Sequence, residues 1–271
     1  MEWKNLYRGA AMGISDLIPG VSGGTIAFVL GIYEQLLAAI SGFFSREWRK
    51  HLAFLIPLGI GMAGTILSLS RAIEYLLAHY FEPTQFFFLG LIIGVVPFMV
   101  KQANVKETFK ASHLLVLLAA VLLLAWMAFV NPGSREMGSE LEAGDFVLLF
   151  FSGWLASMAM LLPGISGSFL LLLIGVYPVV INALSTFNVP VIAAVGAGVM
   201  LGFVISSKAI RFALSHFPYM TYALIIGLIL GSIFTVFPGI PASGSAAAAS
   251  VVTFVLGLGL TYAIGKKEPA S

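Results

Sequence analysis

The sequence predicts an all-α polytopic membrane protein with an inverted-topology internal repeat, each half a broken, re-entrant helical hairpin followed by three transmembrane helices. Three observations carry that expectation. The 271 residues are 59% hydrophobic and 10% charged, with a mean hydropathy of +1.02, where a soluble domain has about 25% charge and about 45–50% apolar residues. Apolar segments long enough to cross a bilayer recur along the chain, and a Pro-Gly-x-Ser-Gly motif stands once in each half.

A hydrocarbon core about 30 Å thick needs about 20 mostly apolar helical residues. The first repeat, 1–130, opens on a hairpin over 9–41, broken at Pro19-Gly20. The few apolar residues before that break span only about half of the core at about 1.5 Å each, so the chain is expected to turn back inside the membrane. Spans follow at 53–78, 84–100 and 112–130, then a linker over 131–144 that holds Arg135, Glu136, Glu140 and Glu142 and reads as periplasmic. The second repeat, 145–265, opens on a hairpin over 146–184, broken at Pro163-Gly164, and continues with spans at 190–212, 219–236 and 247–265. In this hairpin 146–162 is long enough to leave a full crossing open. A cytoplasmic tail, 266–271, closes the chain. The N-terminal apolar stretch is short, contains Asp16 and runs into Pro-Gly instead of a small-residue cleavage site, so the mature chain is expected to begin at Met1.

The repeat is read from register. DLIPGVSGGTIAFVLGIY (16–33) lies over MLLPGISGSFLLLLIGVY (160–177) at an offset of 144, with Pro19/Pro163, Gly20/Gly164, Ser22/Ser166, Gly23/Gly167, Gly31/Gly175 and Tyr33/Tyr177 identical. Farther on the offset is 137, and His79/His216, Thr84/Thr221, Gly90/Gly227 and Gly94/Gly231 match in order. Compositional bias scatters Leu and Gly matches, but does not align His, Thr and Pro.

If each hairpin enters and leaves by one face, twelve of the fourteen Lys and Arg residues collect on a single side: Lys4, Arg8, Arg46, Arg49, Lys50, Lys101, Lys106, Lys110, Lys208, Arg211, Lys266 and Lys267. That side is expected to be cytoplasmic. Both termini then lie there, and three crossings per half invert the second copy, the plan of many secondary transporters.

Proline and glycine at membrane depth free backbone groups that hydrocarbon cannot satisfy. In PGVSGGT and PGISGSF, Pro ends one helix and Ser sits where it caps the next. The new helix aims unpaired N–H groups and the positive end of its dipole at the membrane centre. Glycine admits an anion close to the backbone, as at phosphate sites. Ser22, Gly23, Gly24 and Thr25, with Ser166, Gly167 and Ser168, are therefore the anion-site candidates. A packing kink without ligand is the alternative.

Ionisable residues within spans are expensive and mark pathways. Arg71 and Glu74, three apart, can pair on one helix face. Lys208 and Arg211 stand at the matching positions of the second half. They are read as entrance charges for an anion, Arg71 also as a phosphate ligand, with snorkelling to the interface as the alternative. Asp16 and Glu34 flank the first hairpin, either carrying a coupling cation or capping a turn at the water boundary. The four His residues lack metal-ligand spacing, so no metal or organic cofactor is expected. With no Cys, thiol chemistry and Cys-based metal sites are excluded, and a net charge of +2 excludes a nucleic-acid partner. GLIIG (90–94) and GLILG (227–231) allow close helix packing and leave a homo-oligomer open.

With both motifs in view, MGISDLIPGVSGGTIAFVLGIYE (12–34) and AMLLPGISGSFLLLLIGVY (159–177), the chain resembles the bacterial polyprenyl-phosphate (undecaprenyl-phosphate) transporter family over essentially its whole length. The resemblance implies a protein of the bacterial cytoplasmic membrane that returns undecaprenyl phosphate from the outer to the inner leaflet, recycling the carrier lipid of cell-wall and polysaccharide synthesis. Carried over by position, its head-group ligands are the same seven residues of the two motifs. Arg71 rests on charge placement alone. Moving a negative head group toward a negative interior costs about 2.3 kcal/mol per charge per 100 mV, so coupling to H⁺ or Na⁺ is expected. The rival reading is a transporter or channel for small inorganic anions. An enzyme is disfavoured, because no base or carboxylate cluster accompanies the Ser motifs.

Overall fold

The computed structural model describes residues 2–17, 21–130 and 142–267, with the side chains of 264–267 excepted. Pro19 and Gly20, most of the linker with Arg135, Glu136 and Glu140, and the tail beyond 267 lie outside the described residues. The described chain is helical, without strands. The first half contains α1 (Asn5–Asp16), α2 (Gly23–Val29), α3 (Tyr33–Ser41), α4 (Trp48–His79), α5 (Phe81–Gln102), α6 (Val105–Thr108) and α7 (Ala111–Phe129). The second contains α8 (Ala143–Leu161), α9 (Gly167–Ile174), α10 (Tyr177–Ser185), α11 (Val189–His216), α12 (Pro218–Val236) and α13 (Gly244–Lys267).

Six of these helices, α4, α5, α7, α11, α12 and α13, correspond to the six expected spans. All six are long and apolar enough to cross a membrane, and so is α8 with its 19 residues. The 12 residues of α1 are not, since they reach only about 18 Å. After each Pro-Gly-x-Ser-Gly motif come two short helices, α2–α3 and α9–α10, the latter pair bent by 111°. The first short helix of each pair ends in the same way. Gly31 (φ +65°) and Gly175 (φ +85°) adopt the left-handed conformation that ends a helix. The Gly31 and Ile32 amides donate to Phe28 and Ala27 carbonyls, and the Gly175 and Val176 amides to Leu172 and Leu171.

Lipid offers no hydrophobic drive between helices, so close contact at small residues joins them. A Cβ on Gly9 would strike the Leu58 carbonyl and one on Gly13 that of Met62, while Gly61 is closed off by Leu6 and Ala10. These contacts advance together along both helices, so α1 and α4 run parallel. In α8 and α11, Gly153 faces Val195, Gly198 faces Phe150 and Trp154, and Gly202 faces Trp154 and Ser157. This pair is parallel too. Because α1 and α4 start on the same side, residues 17–47 return to the face from which α1 entered. Residues 162–188 do likewise between α8 and α11.

The last two spans of each half exchange partners. Gly90 and Gly94 of α5 lie against Phe254 and Thr261 of α13, whereas Gly227 and Gly231 of α12 lie against Leu117, Val121 and Leu124 of α7. The α5 and α12 helices are the most enclosed spans and α7 and α13 the least, so each half wraps its outer helix around the inner helix of the other.

Two sets of contacts identify the ends of the bundle. On one face the Arg211 guanidinium donates to Ser41 Oγ at 2.7 Å and the His113 ring lies 6.2 Å from that of Tyr219. On the opposite face Thr253 Oγ1 donates to the Pro83 carbonyl at 2.7 Å and Phe86 meets Phe237 at 6.0 Å. The first face gathers the starts of α1, α4, α7 and α12 with the ends of α5 and α11. It thus holds Lys4, Arg8, Arg46, Arg49, Lys50, Lys101, Lys106, Lys110, Lys208 and Arg211.

Candidate functional site

The two interrupted segments meet tip to tip. The Gly164 amide donates to Thr25 Oγ1 at 3.0 Å, and the Tyr33 hydroxyl donates to the Leu161 carbonyl at 2.9 Å. Ser22 Oγ lies 3.4 Å from both the Met160 and the Leu162 carbonyl oxygens, donating between them. Carbonyls released by the break at Pro163 thus find donors on the opposing tip, as backbone at membrane depth requires. Gly164 itself has φ +92°, and a Cβ there would meet the Leu228 carbonyl, so no other residue fits.

The tips share a template and differ in their N-terminal chemistry. Ser22 and Ser166 both stand at the N-cap position in extended conformation, but only the Ser22 side chain accepts a capping hydrogen bond. At the first tip the Ser22 hydroxyl accepts from the Gly24 amide at 3.1 Å, and Asp16 Oδ1 accepts from the Gly23 amide at 2.8 Å. The Thr25 amide bonds the Ser22 carbonyl, and Ser22, Gly23, Gly24 and Thr25 are all buried. The first tip is therefore internally satisfied, with a carboxylate already at its positive end. At the second tip Met160 stands where Asp16 stands in the first, beside Gly167 as Asp16 is beside Gly23. A thioether is a poor acceptor. Among the described residues the amides of Gly167, Ser168 and Phe169 have no partner, the Ser166 and Ser168 hydroxyls bond each other at 2.8 Å, and Ser168 is exposed.

The charged candidates fall into two groups. Glu34, Lys208 and Arg211 come together. They line one cavity of about 610 Å³ between α3 and α11, and Arg211 is fixed by Ser41. Arg71 and Glu74 are not drawn to the tips. Both are exposed on α4, and among the described residues no ion pair joins them and no hydrogen bond ties Arg71 to either tip. The pairing open to them from their spacing is not made. Asp16 accepts from the Gly23 amide at the start of α2.

On the far side of α11 a second cavity, of about 550 Å³, is almost wholly apolar. Trp154, Met158 and Leu162 of the broken segment wall it with Ile205, Ile210 and Leu224. Leu162 belongs both to this groove and, through its carbonyl, to the tip contact. Tyr33, Ser41 and the Thr25–Gly164 bond were missed as contacts. Tyr33 offered one signal, a matched hydroxyl in an otherwise apolar run, and Ser41 none. Among the described residues no group of three or more His, Asp or Glu side chains could hold a metal ion.

Residues 12–251 match the family described as undecaprenyl phosphate translocase-like. The chain is 45% identical over 273 residues to a polyprenyl-phosphate transporter of Staphylococcus aureus, covering 98% of this chain and 96% of that one. It is 34% identical over 252 residues to a polyprenyl-phosphate transporter of Vibrio cholerae serotype O1, covering 88% and 79%. No solved structure matches the chain.

Proposed function

The chain belongs to the undecaprenyl phosphate translocase-like family, and from that premise we propose that it carries undecaprenyl phosphate from the outer to the inner leaflet of the bacterial cytoplasmic membrane, by alternating access around a phosphate site at the two tips. The protein is a polyprenyl-phosphate transporter, not an enzyme. The observation that carries the finer reading is the tip contact itself, Gly164 N–H to Thr25 Oγ1, from segments that start on opposite faces. The head group binds at the second tip, to the amides of Gly167 and Ser168 and the hydroxyls of Ser166 and Ser168. Thr25 and the Ser22–Gly24 turn form the opposing wall.

An inverted duplication supports alternating access. The helix contacts recur at the sequence offsets, Gly9–Leu58 with Gly153–Val195 and Gly90–Phe254 with Gly227–Leu117, while the matching helices run in opposite directions. The cation-rich first face is cytoplasmic. Lys208 and Arg211 serve the inner entrance, and Arg71 with Glu74 the outer one. Glu34 or Asp16 carries the coupling H⁺ or Na⁺. The apolar groove beginning at Leu162 favours a lipid over a small inorganic anion, because its lining suits an isoprenoid chain while the phosphate sits at the break.

Proteoliposomes loaded with labelled undecaprenyl phosphate test this. Inward transfer is expected with the intact chain, faster under an imposed H⁺ or Na⁺ gradient, and reduced at least tenfold by the double substitution Ser166→Ala, Ser168→Ala. Each lost hydrogen bond to a charged group is worth about 1.5–3 kcal/mol, and 1.4 kcal/mol is tenfold. Vesicles that release phosphate or chloride but leave the lipid in place would favour the small-anion reading.

A further inference from the structure

We infer that the cavity between α3 and α11 is a phosphomonoester-binding station, separate from the tips, in which Glu34 is the resident counter-anion that an arriving phosphate opposes. The inference rests on the reading of the chain as a carrier of phosphorylated lipid. Its walls are two helix faces in register. On α3, Glu34, Gln35 and Ala38 face the cavity, and Ser41 stands one turn farther on. On α11, Lys208, Arg211, Phe212 and Ser215 follow the spacing of a single face.

The charge arrangement is unbalanced by construction. Two cations three residues apart repel each other, and one carboxylate shares their cavity. Among the described residues no ion pair closes between Glu34 and either of them, so about 610 Å³ stays open among the three charges. Such a volume suits a small ligand. The Ser41 hydroxyl takes one Arg211 nitrogen at 2.7 Å, which holds the guanidinium in place and leaves its other donors for a tetrahedral oxyanion. Gln35 adds a neutral donor, whereas the Ser215 hydroxyl already donates to the Phe212 carbonyl at 3.0 Å. Phe212, Leu214 and Ala38 give the cavity an apolar side suited to the first carbons of an alkyl ester.

The carboxylate gives the station a way to let go. A phosphate held only by Lys208 and Arg211 would bind without an opposing force, whereas Glu34 in the same cavity repels it. Retention is weakened and release toward the cation-rich face favoured. The shared ligand chemistry is a phosphate group on a small or lipid alcohol.

The purified full chain in detergent is titrated with inorganic phosphate, with farnesyl phosphate and with farnesol, and its melting temperature is recorded for each variant. Farnesyl phosphate is expected to bind, farnesol not. The double substitution Lys208→Gln, Arg211→Gln should weaken binding at least tenfold, Lys208→Gln alone less, and Glu34→Gln should tighten it about tenfold. Inorganic phosphate binding as tightly as the ester would assign the station to the phosphate group itself; binding of the ester alone would assign it to a lipid head group. Either supports the station. Unchanged affinity in Lys208→Gln and in the double variant at wild-type melting temperature would overturn it, as would Glu34→Gln binding no tighter. A chain that binds in this way yet moves no lipid in vesicles would leave the station standing and sink the carrier reading.

Discussion

Asp16 and Met160 hold equivalent places beside Gly23 and Gly167, and that one exchange sets the chemistry of the two tips. A carboxylate at a helix N-terminus satisfies an orphan amide and answers the positive end of the dipole. It also leaves no room there for another anion. Met160 fills similar space without accepting a hydrogen bond, so the second tip keeps its amides free. Met160→Asp is therefore expected to cap Gly167 as Asp16 caps Gly23. The melting temperature should hold or rise, while lipid transport falls at least tenfold through repulsion of the phosphate. Met160→Leu should retain transport. Full transport by a well-folded Met160→Asp protein would remove the second tip as the head-group site. The Ser and Gly residues of both tips were legible as motifs, since only a few residue types serve a helix start at membrane depth. Their inequality was not, because it depends on which side chain faces which amide across a turn.

Between helices, contact at glycine replaces the hydrophobic drive that lipid removes. Gly196 and Gly198 stand two residues apart on α11 and separate this role from mere composition. Nothing lies within 4 Å of a Cβ added at Gly196, whereas one at Gly198 would strike the Phe150 carbonyl on α8. Gly198→Ala is expected to lower stability by about 1–3 kcal/mol, the usual cost of overpacking, with Gly196→Ala neutral. Thermal unfolding in detergent followed by Trp fluorescence would measure both, and equal effects would contradict the close α8–α11 contact. Hydropathy located the spans to within a few residues, because length and apolarity are local properties. The one-turn α6 is seen only in the folded chain, which also makes α8 an unbroken 19-residue helix where the sequence left a full crossing open. The parallel course of α1 with α4, and the exchange that sets α5 on α13 and α12 on α7, depend on which small residues meet. No single segment carries that information.

Across the whole molecule, both parallel pairs imply that each broken segment leaves by the face it entered, which brings most Lys and Arg residues to one end. The chain has no Cys, so single cysteines can read sidedness without background. Cysteines replacing the exposed Ser45 and Asn104 should resist a membrane-impermeant maleimide in intact cells and react after permeabilisation. One replacing Ser243, exposed before α13, should react from outside at once. Labelling of Ser45→Cys and Ser243→Cys from the same side would break the topology.

By itself the amino-acid order determined the membrane class, the positions of six long spans, the paired Pro-Gly-x-Ser-Gly breaks and the family resemblance. Each follows from residue type and spacing along one stretch of chain. Tertiary structure alone decided that Thr25 reaches Gly164, that Glu34 shares a cavity with Lys208 and Arg211, that Arg71 stays apart from the tips, and that Asp16 seals one helix start while its partner stays open. Those facts concern groups far apart along the chain or amides competing for one acceptor. Such distances and competitions are fixed only when the helices have packed.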